Sequence, residues 1–208
     1  MKCLVTGGAG FIGSHLVDRL FAEKVRRVVV VDNLFLGKKE NLSLARRRHR
    51  AGLACHWFSA TDAGRMKALI RKEKVNVIYD LAVVPLPASL VRPVFSVMEN
   101  VRLTTVLCEL LRQGEYQTLI HFSSSEVYGT ACHVPMHEDH PLQKSTPYAA
   151  SKIGGDMVAL SYQHTFNLDI VVLRPFNNFG PRQNDGNFAG IIPEVIRRVR
   201  QEVGRAHV

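Results

Sequence analysis

The sequence predicts an α/β protein built on a doubly wound parallel sheet, and three observations carry that prediction. Short β-branched and aliphatic runs alternate with longer stretches of helical periodicity along nearly all of the 208 residues. The first run, Lys2 to Thr6, ends in a glycine turn (Gly7, Gly10, Gly13) that leads straight into a helical pattern. The second, Arg27 to Val31, is apolar at nearly every position, the mark of a strand buried on both faces.

The elements follow in order. Phe11, Ile12, Leu16, Leu20 and Phe21 repeat with helical spacing after the glycine turn. Arg46-Arg47-Arg48-His49-Arg50 falls between two strands and reads as a solvated loop or helix end. Ala54 to Phe58 is a strand, and Asp62 after it either caps the helix Ala63–Lys72 or meets a bound adenine. A strand over Val75–Leu81 leads to a loop marked by Pro85, Pro87 and Pro93, and a long helix covers about 94–112. Strand Thr118–Phe122 delivers Ser123-Ser124-Ser125 at its carboxyl end, where open parallel sheets bind ligands. Helix Pro147–Phe166 and strand Asp169–Leu173 follow, then the strip Arg174 to Gln183. The loop 184–190 ends in a helix from Ile191 with an apolar stripe at Ile192, Val195, Ile196 and Val199.

Bulk properties narrow the class. A 46% hydrophobic and 22% charged composition is that of an ordinary globular protein, and no apolar run reaches the roughly 20 residues of a membrane span. Met1 to Val5 runs directly into a strand, without the layout of a signal peptide. Cys3, Cys55, Cys108 and Cys132 are scattered, which points to reduced thiols and a cytoplasmic location, with no metal-ligand spacing. The net charge of +9 invites a nucleic-acid partner, but the basic cluster lacks interleaved aromatic residues. An anionic, phosphorylated substrate accounts for the charge equally well, so neither nucleic acid nor membrane is expected as a partner.

Two groups of residues carry chemistry. Glycines at 7, 10 and 13 let a pyrophosphate approach the backbone at a helix N-terminus, where free N–H groups and the helix dipole favour negative charge. Asp32 stands nineteen residues after Gly13, where an acid hydrogen-bonds an adenosine ribose and repels a 2′-phosphate, favouring NAD over NADP. Lys38 and Lys39 follow too late to replace it. Tyr148 and Lys152 are four apart, one turn along the same face of a helix, so the ammonium can lower the phenol's pKa and make it a base. Ser124 can hydrogen-bond the same substrate hydroxyl, and Glu126 adds a carboxylate.

Taken together, Thr6 to Gly13, Asp32-Asn33, Ser123 to Gly129, Tyr148 to Lys152 and Arg174 to Gln183 resemble the extended short-chain dehydrogenase/reductase superfamily, in its NAD-dependent nucleotide-sugar epimerases and dehydratases. The resemblance implies a Rossmann domain over 1–183 and, over 184–208, the beginning of a substrate domain that stops short, so that this form is expected to bind NAD without completing catalysis. It implies that Tyr148 takes a proton from the carbon 4 hydroxyl as hydride passes to NAD, with Lys152 lowering its pKa and Ser124 steadying the hydroxyl. By the same match the cofactor meets Phe11, Ile12, Asn33, Asp62, Leu81, Ala82, Asn100, Pro175 and Phe176, while Ser125 and Asn177 face a nucleoside-diphosphate sugar. Glu126 stands where the family's dehydratases carry the base for the carbon 5 proton, so a 4,6-dehydratase leads, with 4-epimerase and glucuronate decarboxylase as alternatives. Ser125 departs from the Asp that many thymidine-diphosphate-glucose dehydratases place there. Outside that class stands an NAD-binding module without catalysis. The superfamily's usual homodimer uses helices 94–112 and 147–166, where Gly154-Gly155 would allow close approach. One further departure is Asp80, where the family commonly has His; a local hydrogen bond is the plain reading.

Overall fold

The computed structural model describes residues 1–205. Its strands are β1 (Lys2–Thr6), β2 (Arg27–Asp32), β3 (Leu53–Trp57), β4 (Val77–Asp80), β5 (Thr118–Phe122) and β6 (Asp169–Leu173). Its helices are α1 (Phe11–Ala22), α2 (Ser43–Arg48), α3 (Ala63–Glu73), α4 (Leu86–Val91), α5 (Pro93–Arg112), α6 (Pro147–Phe166) and α7 (Ile191–Arg205). The strands form one sheet in the order β3-β2-β1-β4-β5-β6, every pair parallel. The chain winds outward from β1 to β3, then crosses back to β4 on the other side of β1. That reversal makes a crevice at the carboxyl ends of β1 and β4, the place where such sheets bind ligands.

Strand periodicity divides the interior into two cores. Leu4, Val29, Val31, Ile78 and Leu119 face α3, α5 and α6, where Met66, Ile70, Leu103 and Leu107 pack against them. Cys3, Val5, Val28 and Val30 point the other way, onto Val17, Leu20 and Phe21 of α1 and Ala45 of α2. Because both faces of β2 are covered, it is apolar at successive positions, as its sequence requires. Burying side chains of this size contributes about 1.5–3 kcal/mol each, so the two cores hold the sheet rigid beneath the crevice. Val171 and Leu173 of the edge strand β6 stay exposed on the face that α1 and α2 do not reach.

Three details differ from expectation. α4 lies within the proline-marked loop: Pro85 is its N-cap residue and Pro87 sits in its first turn, where no backbone N–H is needed. The arginine cluster, by contrast, closes α2 as the helix end expected of it, with Ala45 buried as its anchor. β4 is shorter than expected, because the N–H of Val75 closes the end of α3 on the Ile70 carbonyl (3.1 Å) and that of Leu81 turns to Thr6 Oγ1 (3.1 Å). Finally, Gly154 and Gly155 serve packing inside the chain rather than leaving room for a second subunit. A Cβ at Gly154 would lie 3.0 Å from Val101 of α5, and one at Gly155 would lie 3.1 Å from Thr104 Oγ1 and 3.4 Å from His121 Nε2.

Among the described residues no helix is long and apolar enough to cross a membrane. The last three residues of the expected 184–208 segment lie outside the described residues.

Candidate active site

The crevice opens into a cavity of about 470 Å³ reaching from the glycine turn to Tyr148. At one end the turn is shaped by close approach. Gly7 has φ +65°, and a Cβ on it would meet the Ala82 backbone at 2.8 Å. At Gly13 a Cβ would stand 2.3 Å from the Gly7 carbonyl oxygen. The first helical bond of α1 runs from Ser14 N–H to the Gly10 carbonyl (3.1 Å), and no side chain caps that end. The N–H groups ahead of Ser14 are therefore left for an anionic ligand, and the bare glycine backbone gives it room, so the turn fits a dinucleotide pyrophosphate.

Asp32 closes this end. Its Oδ2 accepts from Ala9 N–H (3.0 Å) and its Oδ1 from Leu34 N–H (2.7 Å). Burial raises its pKa, and those two N–H groups partly offset the rise. Gly37 has no side chain to spare here, since a Cβ would lie 2.7 Å from the carboxylate. Asn33 lines the cavity beside it. Neither nearby lysine is turned to a phosphate: Lys38 Nζ meets Asp185 (2.8 Å) and Lys39 lies over the Trp57 ring (5.2 Å).

The other end gathers the groups expected to do chemistry. Ser123 N–H bonds the Leu173 carbonyl (2.7 Å) and Ser125 N–H the Pro175 carbonyl (3.0 Å), so the strips beyond β5 and β6 run side by side. Ser124 is the N-cap of a short 3-10 turn over Ser125–Tyr128, its hydroxyl accepting from Glu126 N–H at 3.2 Å. Thr146 caps α6 by accepting from Ala149 N–H (3.0 Å), with Pro147 in the first turn, and this sets Tyr148 at the cavity wall. Ser124, Ser125, Glu126, Tyr148, Pro175, Phe176 and Asn177 all line that wall.

Lys152 does not line it. The residue is buried, and its ammonium donates to the Phe122 carbonyl. Burial lowers its pKa, while the charges of Asp80 and Asp156 push it back up. The Tyr148 phenol is raised, not lowered as the Tyr/Lys spacing suggested: burial dominates, the Ser124 hydroxyl lowers it, and the Glu126 carboxylate raises it further. With Lys152 turned to a carbonyl, nothing in this arrangement outweighs that burial.

Two further expectations change. Asp62 is not brought to the cavity; it caps α3, accepting from Arg65 N–H at 3.0 Å. Asn100 does line the cavity, but its amide is already used, clasping Val84 N–H (2.8 Å) and the Val84 carbonyl (3.1 Å) and donating to Ser151 Oγ (2.9 Å). It shapes the wall through the loop after β4. Leu81 and Ala82 lie on the same wall, their N–H groups bonded to Thr6 Oγ1 at 3.1 Å each.

Sequence reading missed an aromatic rim. Phe35 stands 6.2 Å from Phe95 and 6.0 Å from Phe188, ring centre to ring centre, and all three line the cavity. Phe35 follows a strand's carboxyl end, and the rule that ligands bind there was the signal available. Thr61 and Glu99, bonded at 3.4 Å, were missed as well; Thr61 follows β3, while Glu99 lies within α5, where no such signal marks it. Beyond β6, Arg182 reaches Asp18 of α1 (2.6 Å) and His15 meets the Pro181 carbonyl (2.9 Å), which draws the 181–185 strip across the glycine end.

Comparison with known proteins agrees with this geometry. The model of the NAD dependent epimerase/dehydratase family matches residues 3–206. The chain is 36% identical over 194 residues to a UDP-glucose 4-epimerase of Mycolicibacterium smegmatis, covering 92% of this chain and 61% of that one. It is 37% identical over 190 residues to a dTDP-glucose 4,6-dehydratase of Actinoplanes, covering 88% and 58%. The crystal structure of a double mutant of DesIV, a dTDP-glucose 4,6-dehydratase from Streptomyces venezuelae solved with NAD and DAU bound, superposes with a TM-score of 0.89 at 32% identity, covering 97% of this chain and 63% of that one. The chain thus spans about 60% of the length of the proteins it matches.

Proposed function

The chain belongs to the NAD-dependent epimerase/dehydratase family, and from that premise we propose that it binds NAD and acts on a nucleoside-diphosphate sugar through a 4-keto intermediate, as a 4,6-dehydratase. The observation that carries the reading is Glu126: it shares a wall with Ser124 and Tyr148 and lies near enough for its charge to raise the phenol's pKa.

NAD, held by the first-turn N–H groups after Gly10 and by Asp32, would supply the two-electron acceptor. The chain's own residues do the proton work. Tyr148 takes the proton of the carbon 4 hydroxyl, and Ser124 holds that hydroxyl in line. The ammonium of Lys152, one turn along α6 and here donating to the Phe122 carbonyl, would favour the phenolate against the burial opposing it once it turns toward the phenol. Once carbon 4 is a ketone, its neighbour at carbon 5 is acidic; Glu126 takes that proton and passes it to the carbon 6 hydroxyl, which leaves as water, and the hydride at carbon 6 with a solvent proton at carbon 5 completes the product. Asn177 and Ser125 would contact the sugar, and Phe176, more than half exposed, would pack on the nicotinamide side.

The second reading is a 4-epimerase, favoured by a relative of that activity at 36% identity against 37% for the dehydratase. A decarboxylase shares the 4-keto step and differs only in losing carbon dioxide. The experiment incubates the full chain with NAD and a panel of nucleoside-diphosphate glucoses, galactoses and glucuronates, with mass spectrometry of the products. Loss of one water supports the dehydratase; an isomer of unchanged mass or loss of carbon dioxide replaces it with an alternative. Uptake of NAD with no product at all makes the chain a binding module.

Two assembly proposals accompany this. Helix α7 carries an exposed apolar stripe, Ile192, Val195, Ile196 and Val199, which suits the start of a substrate-binding unit over 184–208. On α5 and α6, Val94, Met98, Met157 and Leu160 are exposed, and such a patch suits a homodimer formed through those two helices.

A further inference from the structure

Asp80 ends β4 in the middle of the sheet, where a carboxylate has no business unless something balances it. It is 2% exposed. Register places it between Thr6 of β1 and His121 of β5, all three facing α6 in one row across the sheet. Its Oδ1 accepts from Thr6 Oγ1 at 3.0 Å, and its Oδ2 meets His121 Nδ1 at 2.9 Å. Above that row lies one face of α6. A Cβ at Gly155 would touch the His121 ring, and Asp156, one turn after Lys152, stands with its Oδ1 3.5 Å from His121 Nε2. Lys152 itself donates to the carbonyl of Phe122, the residue after His121. The row and the helix face thus enclose one buried cluster containing two acids and a lysine.

The charges in this cluster are not equally free. Arg174, just after β6, takes Asp156, Nε to Oδ2 at 3.0 Å, and donates from Nη1 to Tyr128 Oη (3.0 Å) and the Glu138 carbonyl (3.2 Å). Asp80, by contrast, has no lysine or arginine within ion-pair distance among the described residues; its partners are a hydroxyl and an imidazole. Two carboxylates face two cations, Arg174 is committed to Asp156, and Lys152 is left with Asp80. A buried ammonium without a counter-charge sheds its proton rather than stay charged.

We infer that Asp80 is a positioning residue for Lys152, the buried carboxylate that keeps the lysine ammonium charged behind Tyr148. This rests on the proposed function, in which that ammonium favours the phenolate, and it gives Asp80 a task beyond the local hydrogen bond. The remaining groups around Lys152 agree. Burial works against its charge, with Asp80 and Asp156 opposing that effect. Cys108 of α5, raised to about 12 by burial first and then by Asp80, adds no charge of its own near neutral pH. Tyr148 and Glu126 lie on the cavity side, His121 between the two acids, and Arg174 beyond Asp156.

The test follows the Lys152 side chain directly. The full chain is labelled with 13Cε-lysine, the Lys152 signal is identified by its loss in Lys152→Met, and its pH titration is recorded by NMR. Asp80→Asn should move the Lys152 midpoint to lower pH. Thr6→Val removes a hydrogen bond from the same carboxylate but keeps its charge, and should leave the midpoint where it is. Asp80→Ser, which deletes the charge and leaves room for a water, should repeat the Asp80→Asn shift and decides the matter if that variant does not fold. An unmoved midpoint in the charge-deleting variants, or an equal shift in Thr6→Val, overturns the inference. Failure of the proposed function reads differently: the wild-type chain would take up no NAD, whatever the Lys152 titration shows.

Discussion

Gly13→Ala is the sharpest single test of how the glycine turn is built. The added Cβ would stand 2.3 Å from the Gly7 carbonyl oxygen, 2.8 Å from Gly8 Cα and 2.9 Å from the Gly7 carbonyl carbon. Non-bonded heavy atoms are most stable near 3.5 Å, so the worst overlap exceeds ~1 Å. All three neighbours are backbone, and they belong to a turn pinned by Gly7 N–H on the Val31 carbonyl (2.8 Å) and Gly10 N–H on the Gly7 carbonyl (3.0 Å). No rotamer change can relieve the clash; α1 must move off the strand. Overpacking of this kind costs about 3 kcal/mol, the upper end of its usual range. For a domain of this size that lowers Tm by roughly 6–12 °C. The displaced first turn should also lose the pyrophosphate, so NAD affinity falls along with stability. Gly64→Ala is the control: its Cβ would meet only Asp62 Oδ1, at 3.7 Å, in the exposed first turn of α3. Helix propensity there predicts no loss, and up to about 1 kcal/mol of gain. Thermal melts and calorimetric NAD titration of both variants read the two effects separately. A Gly13→Ala protein with wild-type Tm and wild-type NAD affinity would refute the close-approach argument.

Other expectations are more direct. Tyr148→Phe should abolish hydride transfer in an active form while leaving NAD bound; turnover near the wild-type rate would require a different base. In deuterated water the product sugar should carry deuterium at carbon 5, and Glu126→Gln should stop that exchange; clean inversion at carbon 4 without exchange would favour the epimerase. Glu73 meets Arg27 through two hydrogen bonds of 2.9 Å each, and its pKa is lowered chiefly by that guanidinium. Because the folded value lies below the ordinary 4.5, the pair's stabilisation is complete above 4.5 and fades as pH falls through the folded value. Glu73→Gln should therefore cost about 1–2 kcal/mol at pH 7 and progressively less below pH 4.5 in urea melts; a difference independent of pH would exclude the ion pair as its source. Light scattering should give twice the chain mass at micromolar concentration, and Met98→Lys should shift the particle toward a monomer; a wild-type monomer would remove the helix-pair dimer.

What could be read from the sequence, and what could not, divides along a physical line. Gly7, Gly10 and Gly13, or Tyr148 and Lys152, announce themselves because their spacing is set inside one turn or one helix, and local geometry follows from residue number. The long strands and helices were legible for the same reason: period 2 and period 3.6 are properties of consecutive residues. α4 was hidden because prolines read as breakers unless their place in a first turn is known. Asp80 was opaque for a deeper reason. Nothing within five residues of it explains a buried acid, since its partners are Thr6, 74 positions away, and His121, 41 positions away. Only the strand order, which puts β4 between β1 and β5, brings those three into one row. Lys152 shows the same limit from the other side. Its spacing from Tyr148 predicts a cation beside a phenol, yet where the ammonium goes is decided by Phe122 and Asp80 in the sheet beneath, neither of them on α6, together with Asp156 one turn further along the helix. A helix can thus declare which residues share its face, while the sheet beneath determines their charge. The phenol raised by burial and the lysine supported from below are two halves of one electrostatic balance, and the half that lies in the sheet is the one a linear reading does not reach.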